Sequence, residues 1–398
     1  MSPMTKSRAW LLPALCLAGL AANVSGRTLE PLISVISAEF SVGVAIGALL
    51  TSFYALPFAL GQPLLGPMGD IYGKQRTLKI CLWILTMSLF GAASATSFDA
   101  LSLARIIAGF AAGGVVPACM ATIGDAYPPE KRQVAISIFV TMGMMAQIFA
   151  TSASGLLGET IGWRMSLLGT AIIALIGTLA ATFILKTPQR TSQDHFSVGL
   201  ALGNYKLVFR NPKAVLCYST VFLEGIGLYG ILPYMGDLLS REGEARITEA
   251  GIVIGALGAG GLVYVACVSS LLKFFHRRHF MWVGGLLMIV GPVSLALHLE
   301  WRTIAAAFAI TGLGFMLLHN SIQTEAVELA PAARQSAYSL HAFCFFTGQA
   351  SGPPLFGAAV MILSEPVALC LSAFILATTG ISMSILFGRL ARGEQQAQ

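Results

Sequence analysis

The segment Leu64–Lys79, LLGPMGDIYGKQRTLK, places one acid, three cations and three glycines between two long apolar runs. The rest of the chain is poor in charge, since only 11% of its 398 residues are charged and 56% are hydrophobic. Soluble domains carry about 25% charged residues. The composition therefore indicates helices that lie in a lipid bilayer, with the charged segment as a loop between two of them.

Apolar runs long enough to cross the hydrocarbon core, about 20 residues, recur along the whole chain. They are continuous rather than alternating, which favours helices over a barrel. We predict an all-α membrane protein with twelve transmembrane helices, near residues 9–36, 42–66, 77–97, 99–121, 133–157, 163–186, 213–238, 248–272, 280–298, 302–324, 336–362 and 366–388.

The basic residues indicate the orientation of these spans, because cytoplasmic loops carry an excess of Lys and Arg. With both termini in the cytoplasm, only Arg164, Arg241, Arg246 and Arg302 fall on the outer side. The net charge of +6 then reflects topology, and we expect no nucleic-acid partner. We expect a multi-pass protein of the inner (cytoplasmic) membrane. A cleaved signal peptide at residues 6–23 is the alternative for the first span.

The seven cysteines all lie within predicted spans and show no CxxC spacing. We interpret them as small buried apolar residues. They are Cys16, Cys81, Cys119, Cys217, Cys267, Cys344 and Cys370.

Two segments of the chain repeat at an offset of 202 residues. TIGDAYPPEKRQVAIS begins at Thr122, and TEAVELAPAARQSAYS begins at Thr324. The same offset relates Pro31 to Pro233, which follow matching apolar runs. The repeat predicts two pseudo-symmetric six-helix bundles that arose by duplication.

The domain boundaries follow from this repeat. We expect one bundle in residues 1–186 and the other in residues 213–398, joined by a cytoplasmic linker in residues 187–212. The linker sequence predicts a short amphipathic helix on the membrane surface. No segment is suited to a soluble catalytic domain.

The loop between the second and third spans carries Gly66, Asp70, Gly73, Lys74 and Arg76. Gly66 permits close approach of two helices, and Gly73 permits a tight turn. This motif, in a chain of six plus six spans, resembles the major facilitator superfamily over essentially the whole length. The resemblance implies the major facilitator fold and transport of a small solute by alternating access.

The resemblance also implies a gating role for this loop. In the superfamily the acid lies at the N-terminus of the eleventh helix, where a carboxylate is favourable, and a following cation pairs with an acid of the fourth helix. These roles correspond to Asp70, to Lys74 or Arg76, and to Asp125. Ile71 departs from the family pattern, which has a basic residue there. The alternative is that the cations only anchor the loop at the cytoplasmic face.

Two further family signatures are present in altered form. Arg105 of the fourth span precedes a glycine-rich run that includes Gly109. A Gly-Pro motif of the fifth span, associated with proton-coupled exporters, would fall on Ala150–Thr151, and its pattern occurs instead in the eleventh span at Gly348–Pro354. This departure leaves the direction of transport open.

Charged residues inside spans are costly, and they usually face a partner or a cavity. Arg27 and Glu30 share one face of the first span, and Arg105 lies at a similar depth. We predict that Glu30 pairs with Arg105 or Arg27 and takes part in substrate or proton coupling. The alternative is a structural ion pair that joins helices.

Glu224 lies near the middle of the seventh span, in FLEGIGLYGILPY. A lone carboxylate there favours its protonated form unless water or a cation reaches it, which suits a proton carrier. We predict a role in proton coupling or substrate binding, with a carboxyl group hydrogen-bonded to a neighbouring helix as the alternative.

Polar residues of five spans complete the predicted site. His319 can titrate or can bridge helices, and His341 is expected to make a gate contact. Asn320 and Gln323 share the polar stripe of His319, and Tyr229 offers a hydrogen bond. Neutral hydrogen bonds are also expected from Asn23, Gln147 and Gln349.

The sequence has no GxxxxGK[ST], HExxH or GxSxG motif, so we expect neither ATP-driven transport by this chain nor an enzyme. The HRRH segment at 276–279 predicts a headgroup-level anchor rather than a metal site. Within the superfamily the chain most resembles twelve-helix exporters of drugs and small metabolites, such as the arabinose-efflux-like permeases, and this resemblance implies proton antiport. We therefore expect a monomeric antiporter without cofactor that uses the proton gradient to export a small amphiphilic drug or metabolite. The alternatives are a proton-coupled importer of a nutrient and a transport-incompetent membrane sensor or assembly partner.

Overall fold

The structure is a computed structural model that describes residues 10–185, 198–240 and 246–396. Regular structure within these ranges is entirely helical. The chain divides into two compact units, Met1–Phe196 and Ser197–Gln398. We call them the first and second units.

In the first unit, α1 and α2 together form the first predicted span. A 3-10 turn at Glu30–Leu32 separates them, because Pro31 lacks the backbone N–H that a continuous helix needs. The helices of this unit are α1 Leu11–Arg27, α2 Ile33–Glu39, α3 Val44–Tyr72, α4 Lys74–Ala93, α5 Phe98–Ala126, α6 Pro129–Thr160 and α7 Trp163–Ile184.

The second unit interrupts its first span in the same way, with a 3-10 turn at Leu232–Tyr234. Another 3-10 turn, Pro331–Ala333, precedes its fifth span. The helices are α8 Val198–Phe209, α9 Lys213–Tyr229, α10 Met235–Leu238, α11 Ile247–Phe274, α12 Arg277–Met288, α13 Val290–Ala296, α14 Trp301–Glu328, α15 Arg334–Ile362 and α16 Glu365–Gln396.

The bounds of these helices confirm the predicted duplication. Both ends of α1 lie 202 residues before the corresponding ends of α9. The two 3-10 turns after them, and the C-terminal ends of α6 and α15, are related by the same offset. The structure therefore repeats with the register that the sequence predicts.

Helix packing within each unit follows the same plan. In the first unit α1 packs on α6 and α7, and α3 packs on α5; in the second unit α9 packs on α15 and α16, and α11 packs on α14. Glycines permit the closest approaches. A Cβ at Gly109 would collide with the backbone of Tyr54, and a Cβ at Gly312 would collide with the backbone of Leu257.

Among the described residues, ten helices are long and apolar enough to cross a membrane. The other two predicted spans are also helical. They are the first, which the turn after α1 shortens, and the eleventh, α15, which carries polar side chains such as His341 and Gln349. All twelve predicted spans thus have a helical counterpart, as expected for the major facilitator fold.

Many large apolar side chains are exposed along the helices, as is expected for helices that contact lipid. Phe183 and Phe274 are examples, with 82% and 80% exposure. The prediction that all seven cysteines are buried is wrong for Cys267 and Cys370, which are exposed. Apolar residues occupy both faces of a transmembrane helix, so location in a span does not imply burial against protein.

The linker region contributes α8, which packs on α15 and on the start of α9. The ring of Phe209 lies 5.7 Å from that of Tyr218, edge to face. The location of α8 on the membrane surface stays a prediction, and so do the domain boundaries. The contacts predicted for Gly66 and Asp70 involve residues whose side chains are outside the described part of the structure.

Candidate functional site

A chain of hydrogen bonds, which we call the polar network, links α1 to α6 in the first unit. Arg27 Nη1 lies 2.6 Å from Glu30 Oε1, and Arg27 Nε donates to Gln147 Oε1 at 3.1 Å. Gln147 Nε2 donates to Asn23 Oδ1 at 3.0 Å. Glu30 is 4% exposed, and its Oε2 has no hydrogen-bond partner among the described residues. The network holds a buried carboxylate with one bonded and one available oxygen.

Arg105 of α5 is fully buried beside this network. Its Nη1 donates to the carbonyl oxygen of Ser25 at 2.8 Å, and its Nε donates to that of Leu50 at 3.3 Å. The guanidinium lies over the ring of Tyr54, 4.2 Å from the centroid. Of the two predicted partners of Glu30, the hydrogen-bonded one is therefore Arg27, and Arg105 joins α1, α3 and α5.

In the second unit Glu224 of α9 is fully buried. Its Oε2 lies 2.8 Å from Nδ1 of His319 on α14. Its Oε1 has no partner among the described residues. A carboxyl group and an imidazole at this distance share one proton, which either can carry, so the pair is suited to proton exchange.

Aromatic rings enclose this pair, and we call the whole group the Glu224 cluster. The ring of His319 lies 4.5 Å from Phe345 and 5.0 Å from Phe315, centroid to centroid. Tyr229 packs on Phe345 at 5.6 Å. The described ring contacts of His319 are thus with Phe315, Phe345 and one further histidine.

That histidine is His341, which was predicted to make a gate contact. It is 1% exposed, and its ring lies 4.9 Å from that of His319. Its Nε2 has no partner among the described residues. The structure therefore places His341 in the Glu224 cluster.

The other polar residues predicted on α14 make different contacts. Asn320 Nδ2 donates to the carbonyl oxygen of Met316 in its own helix, at 3.0 Å. Gln323 is half-buried. Of the predicted polar stripe on α14, His319 is the residue whose hydrogen bond reaches Glu224.

The loop between α3 and α4 has the predicted geometry where it is described. Gly73 adopts a φ of 94°, in the region that favours glycine. Lys74 Nζ lies 2.8 Å from Asp125 Oδ2, and Arg76 is exposed. We call Lys74 and Asp125 the latch pair. It is exposed, so it contributes little to stability and can break at low cost.

Sequence reasoning included Tyr229 in the predicted site, but it did not bring Phe315 and Phe345 together with Glu224. Phe315 and His319 are four residues apart on α14, and His341, Phe345 and Gln349 recur every four residues on α15. Residues at this spacing share one face of a helix. This spacing was the available signal, but the sequence does not show that the two faces meet.

No cluster of three or more His, Cys, Asp or Glu suited to a metal ion occurs among the described residues. With the geometry of both groups described, the chain can be compared with known proteins. The family model of the Major Facilitator Superfamily matches residues 15–353. The chain belongs to the major facilitator superfamily. It is thus a multi-pass membrane protein of a transporter family.

Similar proteins are transporters as well. The chain is 28% identical over 252 residues to "Uncharacterized MFS-type transporter YwfA" of Bacillus subtilis (strain 168), which covers 62% of this chain and 60% of that protein. The chain thus matches less than two thirds of that relative's length.

Two solved structures share the fold over nearly their full length. The nucleoside transporter NupG has a TM-score of 0.76 at 19% identity, with 95% of this chain and 99% of that chain covered. A D-xylose-proton symporter has a TM-score of 0.77 at 16% identity, with 96% and 97% covered. These likenesses concern the fold alone.

Proposed function

We propose that this superfamily member is a proton-coupled antiporter that exports a small amphiphilic organic solute. The observation that carries the proposal is the contact between Glu224 and His319. A fully buried carboxyl group beside a single imidazole, with one oxygen free to bind, can hold a proton in one state and release it in another.

The polar network is the second candidate for coupling. Glu30 shares one oxygen with Arg27 and keeps the other without a partner. A pair of this kind can change partners as helices move, or it can hold α1 and α6 together permanently. The Glu224 cluster is preferred as the proton site because Glu224 has no cation within salt-bridge distance among the described residues other than His319, if that is protonated.

The aromatic and apolar surroundings of Glu224 favour a solute with an apolar body over a polyanion. A buried carboxylate repels anions and attracts cations. We therefore propose a neutral or cationic amphiphile as the solute. The proton gradient supplies the energy without a cofactor, and the protein acts as a monomer in the inner membrane with both termini in the cytoplasm.

A proton-coupled importer of a nutrient is the second candidate, and one observation favours it. Exporters of this superfamily carry a Gly-Pro motif in the fifth span. This chain has Ala150 and Thr151 at that point, and α6 continues through them without interruption. The paired prolines lie in α15 instead, at Pro353 and Pro354.

Substrate-driven proton movement tests the proposal. Purified protein is placed in liposomes that contain a pH-sensitive dye, and solutes are added under an imposed proton gradient of either polarity. Ethidium and chloramphenicol represent amphiphiles, and uridine and D-xylose represent nutrients. The proposal predicts that an amphiphile moves in exchange for protons. Co-movement of uridine or D-xylose with protons supports import, and no proton movement with any of the four solutes contradicts the proposal.

A further inference from the structure

The duplication assigns Gln147 of α6 and Gln349 of α15 to equivalent positions, since they are separated by the 202-residue offset that relates the two helices. In the first unit both ends of the Gln147 amide have partners. Its oxygen accepts from Arg27, and its nitrogen donates to Asn23. Gln147 is therefore a structural member of the polar network.

The second unit keeps the glutamine and replaces both partners. The position of Asn23 is taken by Gly225, and the position of Arg27 is taken by Tyr229. No larger side chain fits at Gly225, because a Cβ there would lie 2.6 Å from the carbonyl oxygen of Phe345. The partner that satisfies the amide nitrogen in the first unit thus has no counterpart in the second.

The consequence is visible at Gln349 itself. The residue is 7% exposed, and its Nε2 has no hydrogen-bond partner among the described residues. Buried polar atoms in native proteins nearly always have a partner. An amide that keeps its place while its nitrogen has no partner among the described residues is suited to a ligand that supplies an acceptor.

We propose that Gln349 binds the transported solute and donates its amide N–H to a hydrogen-bond acceptor on that solute. The inference rests on the proposed function, and it specifies the substrate class. Glu224 precedes Gly225, whose backbone adjoins that of Gln349, and Glu224 Oε1 is also without a partner among the described residues. The solute is then a neutral or cationic amphiphile that carries a carbonyl, ether or hydroxyl oxygen.

Thermal unfolding of two matched variants tests the inference without a solute. Gln349→Met removes a buried amide that has no partner for its nitrogen, so we expect the unfolding midpoint to rise or stay unchanged. Gln147→Met removes the acceptor of Arg27 Nε and the donor to Asn23 Oδ1, so we expect the midpoint to fall. If Gln349→Met lowers the midpoint as much as Gln147→Met, the amide has a structural role and the inference is wrong.

Accessibility to a water-soluble thiol reagent is the second test. In a variant without the native cysteines, Gln349→Cys should react with 2-(trimethylammonium)ethyl methanethiosulfonate, because a solute site must open to water during transport. Leu376→Cys, at a fully buried packing position, should not react. Equal protection of both positions contradicts a binding role, whether or not proton coupling is observed.

The transport assay adds a chemical criterion. For chloramphenicol, which carries carbonyl and hydroxyl oxygens, Gln349→Met should raise the KM roughly tenfold, the effect of one lost hydrogen bond. A KM that Gln349→Met leaves unchanged overturns the assigned donor role. Failure of wild-type protein to move protons refutes the proposed function instead, while the unfolding and labelling tests still decide the role of Gln349.

Discussion

Replacing Arg27 by Met removes the guanidinium that lies 2.6 Å from the Glu30 carboxylate. The two side chains are only 14% and 5% exposed, so solvent does not compensate the charge that remains. Loss of one partner from a buried ion pair costs about 3–5 kcal/mol. We expect the free energy of unfolding of Arg27→Met to fall by this amount. The double variant Arg27→Met/Glu30→Leu should recover most of it, since neither charge of the pair is left.

Lys74→Met is the matched control, because it removes the cation of an exposed pair. The side chains of Lys74 and Asp125 are 33% and 65% exposed, and pairs of this kind contribute at most about 1 kcal/mol. The assay is unfolding in mixed detergent micelles with increasing dodecyl sulfate, followed by circular dichroism. The reasoning is refuted if Arg27→Met costs no more than Lys74→Met, or if the double variant is less stable than Arg27→Met.

Three further predictions follow from described contacts. At the C-terminal end of α2, the hydrogen bond from Trp163 lowers the pKa of Glu39 below its ordinary value. This stabilising contact is complete above the unfolded-state pKa of Glu39 and is lost as pH falls through its folded-state pKa. Trp163 fluorescence should therefore change in acid in wild type and not in Glu39→Gln. Gly348→Ala should reduce the yield of folded protein, because its Cβ would collide with the carbonyl oxygen of Phe222, whereas Gly124→Ala, which meets open space, should not; equal yields would contradict the packing. Reversing one charge of the latch pair should slow transport, and exchanging its two residues should restore the rate, as measured by proton movement in liposomes. If the exchanged variant does not recover the rate, a gating role for the pair is excluded.

Much of the fold was predictable because its signals lie along the chain. The length of each apolar run predicts a span, and the repeat that begins at Thr122 and Thr324 predicts the duplication. The 3-10 turns that interrupt the first and seventh spans were not predicted, although each of them contains a proline, Pro31 or Pro233. Burial was also misjudged, as at Cys267, because lipid and protein interior select the same residue types.

The site was predictable where its contacts are local. Arg27 and Glu30 are three residues apart, so their pairing follows from helix geometry. The partner of Glu224 is His319, 95 residues away, and only tertiary packing brings the two together. The contact of His341 with His319 was not predicted, because sequence gives the depth of a residue but not the direction of its side chain, and the gate contact of His341 stays a prediction.

Proton movement in Glu224→Gln is the most direct measurement of the central claim, that the Glu224 cluster couples transport to protons. Wild type, Glu224→Gln and the exposed-site control Glu300→Gln are compared in dye-loaded liposomes with the same amphiphilic solute. We predict that solute-dependent proton movement persists in wild type and in Glu300→Gln and is abolished in Glu224→Gln, because glutamine cannot release a proton. Proton movement that continues unchanged in Glu224→Gln would contradict the account and transfer the coupling role to Glu30.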